Sequence, residues 1–265
     1  MLENITYILI NEMIPKIIHY CWFGKEELPP LALKCIESWK KYMPDYEIKR
    51  WDEDNYDIRK NQYISQAYDA RKYAFVSDYV RFDILYTYGG IYLDTDVEVI
   101  KDLTPIIEQG AFAGMEQLSG INSGLGIAAP SSLEIYKEIL DSYKNDTFIN
   151  QEGKINLKTV VVRVSEIFKK HGFIERNEVQ EIEGVRIYPT EYFCPMSQGT
   201  GKITITENTY CIHHYTSSWM PKHIRTASKM RRWLSRIIGP KTTNHLISII
   251  GLRKWKNNQM NLIDE

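Results

Sequence analysis

An apolar segment that ends on paired carboxylates limits this chain more than any other feature. A helical stretch over about 62–86 runs to Gly89 and Gly90, where glycine is the usual exit from a helix, and the apolar run IYLDTDVEVI (91–100) follows at once. Within it Asp94 and Asp96 stand at i and i+2, so a chain still extended there points both carboxylates to one face and Thr95 to the other. Like charges held that close repel unless a cation lies near them. Asp is also common in solvated turns, so the pair alone reads as a turn before it reads as a site.

The surrounding segments supply the context. KIIHYCWF (16–23) has the composition of a first strand between Pro15 and Gly24. A helix is predicted over about 30–42, where Leu33, Ile36, Trp39 and Lys40 have helical spacing and Pro44 marks the stop. YEIKRW (46–51) alternates as a second strand does, and strand, helix, strand predicts a right-handed crossover and a parallel pair. FAGM (112–115) and GLGIAA (124–129) extend the sheet, helices are predicted near 132–144 and 157–170, and VRIYPTEYF and TYCIHHY supply late strands. This alternation predicts an α/β sandwich with a mainly parallel central sheet, in which ligands gather at the carboxyl ends of strands. The two aspartates sit at such an end.

A chain of 265 residues, 43% of them hydrophobic, has room for one large α/β domain or a domain with an appendage. Cys21, Cys35, Cys194 and Cys211 form no CxxC pair and no zinc spacing, which predicts reduced, packed thiols. With no run of about 18 apolar residues and no basic n-region or cleavage site in MLENITYILINEMIPK, a cytoplasmic location is expected.

The formal net charge of -1 hides an asymmetry: no Asp or Glu falls between Asn208 and Leu262, where cations run from Lys222 to Lys256. Residues 222–238 and 245–256 mix those cations with Trp233, Leu234, Ile237, Ile247 and Trp255. We expect residues 1–220 to form the catalytic domain and 221–265 a basic amphipathic helical appendage. Such helices suit an inner-membrane surface rich in anionic lipid, and a helical pair packed on the acidic body is the alternative. Nothing that reads nucleic acid accompanies the charge.

Two converging carboxylates with room for water and phosphate oxygens suit Mn²⁺ or Mg²⁺ better than zinc. Just upstream, Ser77, Asp78 and Arg81 interrupt a crowded apolar helix. Asp and Arg three apart share a helix face and can pair with each other, while burying them without a partner or ligand is expensive.

Four stretches, IPKIIHYCWFG (14–24), RWDEDN (50–55), SDYVRFDILYTYGGIYLDTDVE (77–98) and HHYTSSW (213–219), together resemble a family of DxD-containing sugar transferases. That family includes the yeast Golgi initiating mannosyltransferase, bacterial capsule-type transferases and, more distantly, the glucosylating clostridial toxins. The resemblance implies a GT-A fold that binds a nucleotide sugar and transfers the sugar with retention. By motif position it implies Asp96 as direct metal ligand, with Asp94 on ribose, a sugar hydroxyl or the metal's water shell, and Asp78 and Arg81 gripping the donor sugar and phosphate. It further implies Trp51 stacked on the base with His19 and Trp22 nearby, and Ser77 and Tyr92 among the substrate-binding residues. Of the adjacent histidines, His213 is favoured as the metal or phosphate contact, with His214 counted among the substrate contacts. Ser217, Ser218 and Trp219 are expected on a loop that closes over the diphosphate, and Glu116 and Asn122 against acceptor or sugar. The expected donor is a UDP-hexose such as UDP-galactose or a UDP-N-acetylhexosamine, with GDP-mannose second. The expected acceptor is a saccharide or lipid-linked saccharide of a capsule or surface polysaccharide. An aspartyl-nucleophile phosphohydrolase and a non-catalytic carbohydrate-binding protein are the competing classes.

Overall fold

A computed structural model describes residues 13–116, 120–216 and 222–249. Its strands are β1 Ile17–Cys21, β2 Glu47–Trp51, β3 Gly90–Tyr92, β4 Val97–Val99, β5 Phe112–Glu116, β6 Gly120–Ala129, β7 Gln180–Ile182, β8 Val185–Tyr188 and β9 Cys211–His213. Its helices are α1 Pro30–Tyr42, α2 Gln62–Asp69, α3 Tyr73–Tyr88, α4 Thr104–Ile107, α5 Glu134–Asp141, α6 Val160–Lys170, α7 Thr190–Phe193, α8 Lys222–Ile238 and α9 Pro240–Ile249.

A seven-stranded sheet in the order β2-β1-β3-β6-β5-β8-β7 forms the centre. The pairs β1–β2, β1–β3 and β5–β8 are parallel, and β6 and β7 run against their neighbours. Five of the seven strands therefore point one way, as the expected mainly parallel α/β sheet requires. Because β6 is reversed, its first residues lie beside the ends of β3 and β5. One edge of the sheet thus collects the residues after Tyr92, the end of β5 at Glu116 and the start of β6.

Apolar side chains cover both faces, which is why the strands read as continuous hydrophobic runs. Neighbouring residues of β3 divide between two clusters: Tyr92 joins Val76, Val80 and Leu85 of α3 with Phe168 of α6, while Ile91 joins Ile36 and Trp39 of α1 with Val97. Helix α1 starts with Pro at its first position and buries Ala32, Cys35, Ile36 and Trp39, whereas Leu33 is half exposed, so the stripe is one residue away from the expected set. Trp39 donates its indole N–H to the Val97 carbonyl at 2.8 Å and ties α1 to β4. The four cysteines are buried and form no disulfide.

Several expected boundaries are corrected. The single helix over 62–86 is two, because Arg71 takes a left-handed backbone (φ 56°) and Lys72 N–H turns back to the Ala67 carbonyl. The expected strand 91–100 breaks at the aspartates: Val97 N–H donates to the Asp94 carbonyl at 3.0 Å, making a turn between β3 and β4. β4 then leaves the main sheet and pairs antiparallel with β9. Pro189 ends β8, so TEYF is a helical turn and not strand.

Gly90 shows how closely the elements meet. At φ 106°, a Cβ there would come within 2.8 Å of the Ile17 carbonyl and 2.9 Å of His19 Nε2. Gly90→Ala is expected to cost at least about 2 kcal/mol from backbone strain and displacement of β1, read as a lower urea midpoint at unchanged slope.

Candidate active site

The turn after β3, not strand alternation, brings the carboxylates together. Asp94 N–H donates to the Gly124 carbonyl at 3.3 Å, and Asp94 Oδ1 accepts from Tyr92 Oη at 3.1 Å and pairs with Arg81 Nη2 at 3.2 Å. Gly124 is required by proximity: a Cβ there would lie 2.0 Å from Asp94 Oδ2. Asp96 turns the other way round the bend, its Oδ2 accepting from both the N–H and the hydroxyl of Thr216 at 2.8 Å, its Oδ1 lying 3.1 Å from His213 Nε2. Asp94, Asp96 and His213 each offer one ligand atom, and these atoms lie within 4.8 Å of one another.

Arg81 supports the cluster from α3. Its guanidinium is 4% exposed and pairs with Asp78 Oδ1 at 2.9 Å as well as with Asp94, donates to Ser123 Oγ at 3.2 Å and to the Ser77 carbonyl at 3.1 Å, and lies over the Tyr92 ring. One buried cation therefore serves two carboxylates, the arrangement in which losing one partner is most costly. Burial pushes the Asp78 carboxyl up to about 6 in spite of Arg81. Burial also raises Asp94, with Arg81 opposing. For Asp96 burial acts in the same direction, but His213 and the Thr216 donors outweigh it and hold the carboxyl well below the usual carboxylate range. His213 is raised, because attraction to Asp96 and Asp94 overcomes its burial.

At the same sheet edge Asn122 donates Nδ2 to Glu116 Oε2 at 2.8 Å and accepts the Gly124 N–H through Oδ1 at 2.8 Å. The structure thus gathers Asp78, Arg81, Tyr92, Asp94, Asp96, Glu116, Asn122 and His213. Ser123, Gly124 and Thr216 belong with them and went unnoticed in sequence, although Thr216 stands inside the motif HHYTSSW.

Other expected residues lie elsewhere. Trp51 is 4% exposed, packs its ring against Tyr88 and Tyr56, and donates Nε1–H to His19 Nδ1 at 3.0 Å, so it has no free face for a base. His19 is fully buried, with Nε2 on the Gly89 carbonyl at 2.9 Å. Both are packing groups. Trp22 donates its indole N–H to the Glu26 carbonyl, and Ser77 Oγ donates to the Tyr73 carbonyl one turn back. His214 bonds Glu98 Oε2 at 2.8 Å, next to Lys34, and so faces away from His213, as neighbours on an extended chain do. Ser217, Ser218 and Trp219 lie outside the described residues.

His19 carries a pH prediction. Its neutral tautomer donates at Nε2 and accepts at Nδ1, so a second proton would face the Trp51 donor in a buried site. Burial lowers its pKa to about 4 from an ordinary 6.5. The unfolded chain then binds the proton first: stability is full above 6.5 and falls as pH drops toward 4, by about 3 kcal/mol at most. Urea titrations across that window should show His19→Gln with a slope in pH smaller by up to one proton.

The donor set fits a hard divalent cation. Two carboxylates and an imidazole converge, His213 Nε2 faces acidic oxygens, and His213 Nδ1 is buried without a hydrogen-bond partner.

The site is thus an acidic turn at the strand ends of an α/β sheet, braced by a buried arginine and joined by one histidine. Residues 29–113 match the family described as "Glycosyltransferase sugar-binding region containing DXD motif". It is 34% identical over 137 residues to inositol phosphoceramide mannosyltransferase 3 of Schizosaccharomyces pombe, covering 48% of this chain and 37% of that one. The chain thus spans well under two thirds of that relative. It is 27% identical over 225 residues to an uncharacterised glycosyltransferase of Acanthamoeba polyphaga mimivirus, covering 79% of this chain and 85% of the viral protein. Among solved structures it is similar to the PaToxG glycosyltransferase, with a TM-score of 0.45 at 19% identity over 63% of this chain and 76% of the other.

Proposed function

We propose that this protein is a metal-dependent retaining glycosyltransferase that moves a hexosyl or N-acetylhexosaminyl group from a nucleotide sugar to a saccharide or lipid-linked saccharide acceptor in surface polysaccharide synthesis. The observation that carries this reading is the convergence of Asp94, Asp96 and His213 beside the Arg81–Asp78 pair at one edge of the sheet.

Asp96 and His213 would hold Mn²⁺ or Mg²⁺ directly, with Asp94 beside them or on its water shell. A divalent cation there supplies charge neutralisation for the departing nucleoside diphosphate. The chain's own residues do the rest. Asp96 stays ionised at any working pH, since its partners hold its proton affinity low. Arg81 keeps Asp94 turned into the site and is itself satisfied by Asp78, Ser123 and the Ser77 carbonyl. Asn122, tied to Glu116 and to the Gly124 N–H, presents a fixed polar edge to donor sugar or acceptor. Residues 1–220 are the catalytic unit and 221–265 an appendage to it. A cytoplasmic location accords with four buried thiols that form no disulfide.

For the donor, a UDP-hexose or UDP-N-acetylhexosamine is the first reading and GDP-mannose the second. The second is favoured by one observation: the fission-yeast relative is named as an inositol phosphoceramide mannosyltransferase. A panel of UDP- and GDP-sugars with Mn²⁺, followed by donor hydrolysis and by melting temperature, tests both. One donor should be hydrolysed and should raise the melting temperature in the presence of metal. If no nucleotide sugar does either, the transferase reading fails.

A further inference from the structure

Helix α8 is held to the protein by one side and leaves an apolar stripe on the other. Ile224 and Ser235 are buried, and Arg236 donates to the carbonyls of Thr200 and Gly201 at 2.7 and 2.8 Å. Met230, Trp233 and Ile237, at i, i+3 and i+7, share a helix face opposite the buried pair and are 57%, 59% and 61% exposed. Three large apolar side chains in a row on an exposed helix face mark a surface made for contact. Lys229 and Arg236 fall beside this stripe on the helix, and α8 carries six Lys and Arg and no acid in its 17 residues. No helix of the described residues is long and apolar enough to cross a membrane.

We propose that α8 docks the protein on an anionic lipid bilayer, lying in the interface with Met230, Trp233 and Ile237 inserted among the acyl chains and its cations on the headgroups. Charge selects this occupant. A second copy of the chain would set the same cations face to face, and residues 250–262 bring Arg253, Lys254 and Lys256 with no acid among them, so neither neutralises the border of the stripe. An anionic headgroup layer does, at about 1 kcal/mol per cation near the surface.

The stripe also has a position relative to the site. Arg236 grips the 200–201 loop, Gln198 from the same loop donates to Tyr215 Oη at 3.2 Å, and the Tyr215 ring lies 4.2 Å from that of His213. The 198–201 loop and Tyr215 thus link α8 to His213 through direct contacts. The docking itself is independent of the transfer reading.

Flotation of the full chain with vesicles of phosphatidylcholine, with and without phosphatidylglycerol, tests it. The protein should float with the anionic vesicles, remain below with the zwitterionic ones, and be released by added salt as screening grows. The triple variant Met230→Ser, Trp233→Ser, Ile237→Ser should lose at least about tenfold in vesicle partition, and Lys229→Glu should weaken it further, with far-UV circular dichroism and donor hydrolysis unchanged in all. Failure of the unaltered chain to float, or flotation equal in the triple variant, overturns the proposal. So does a concentration-dependent dimer, seen by sedimentation, that the triple variant abolishes. Hydrolysis of the donor without flotation would sink the docking alone, and flotation without any hydrolysis would sink the transferase alone.

Discussion

Asp96→Asn is expected to lower donor hydrolysis and transfer by at least about 100-fold, the scale on which loss of one preorganised charge-stabilising group acts, while leaving the fold in place. The side chain keeps its shape and its Thr216 contacts, but the carboxylate that faces His213 Nε2 becomes neutral, and the cation site loses the one ligand that is ionised under all working conditions. The same variant should lose the rise in melting temperature on adding Mn²⁺ with donor. That second readout matters because it separates failed metal binding from failed chemistry. A variant that Mn²⁺ and donor stabilise as fully as the native protein would show that the ion sits elsewhere.

Arg81→Met should have the largest effect on stability. Its guanidinium is nearly sequestered from solvent between Asp78 and Asp94, so removing it takes from both carboxylates the cation they share. Breaking a buried ion pair by deleting one member typically costs about 3–5 kcal/mol, read from urea unfolding at neutral pH. Part of the loss should return as pH is lowered, beginning above the native Asp78 value of about 6 because the Arg81 charge that holds it down is gone, since protonation removes the stranded charge. Adding Asp78→Asn to Arg81→Met should also restore stability in part, a coupling that contacting groups show and distant ones do not. Activity should not return, because Asp94 still lacks the group that orients it. Equal stability of Arg81→Met and the native chain at neutral pH would mean that the carboxylates are neutral or hydrated, against the burial seen.

Much of the fold is legible in the order of the residues. The strand, helix, strand opening and the parallel pairing of β1 with β2 follow from the apolar periods and their order, and the central strands from their continuous apolar runs. The DXD pair and the SDxxR stretch before it stand within 20 residues, and both end in one cluster. The errors have physical sources. Trp51 has the composition of an exposed stacking ring and the position of a core residue, because Tyr88, distant in sequence, packs against it. The break in the 91–100 run depends on the Gly124 carbonyl, which a reversed strand 30 residues later delivers to Asp94 N–H.

The amino-acid sequence by itself determined that carboxylates stand at the end of a central strand, that Asp78 and Arg81 share a helix face behind them, and that a basic amphipathic segment follows. These depend on neighbours within a few positions. Only the tertiary structure decided that the His213 imidazole and not that of His214 meets the Asp96 carboxylate. The choice depends on the register of β9 against β4, where Val97 lies opposite His213, and a slip of one residue in such a pairing turns every side chain to the other face. Register is set by packing between segments more than 100 residues apart, which no local pattern encodes.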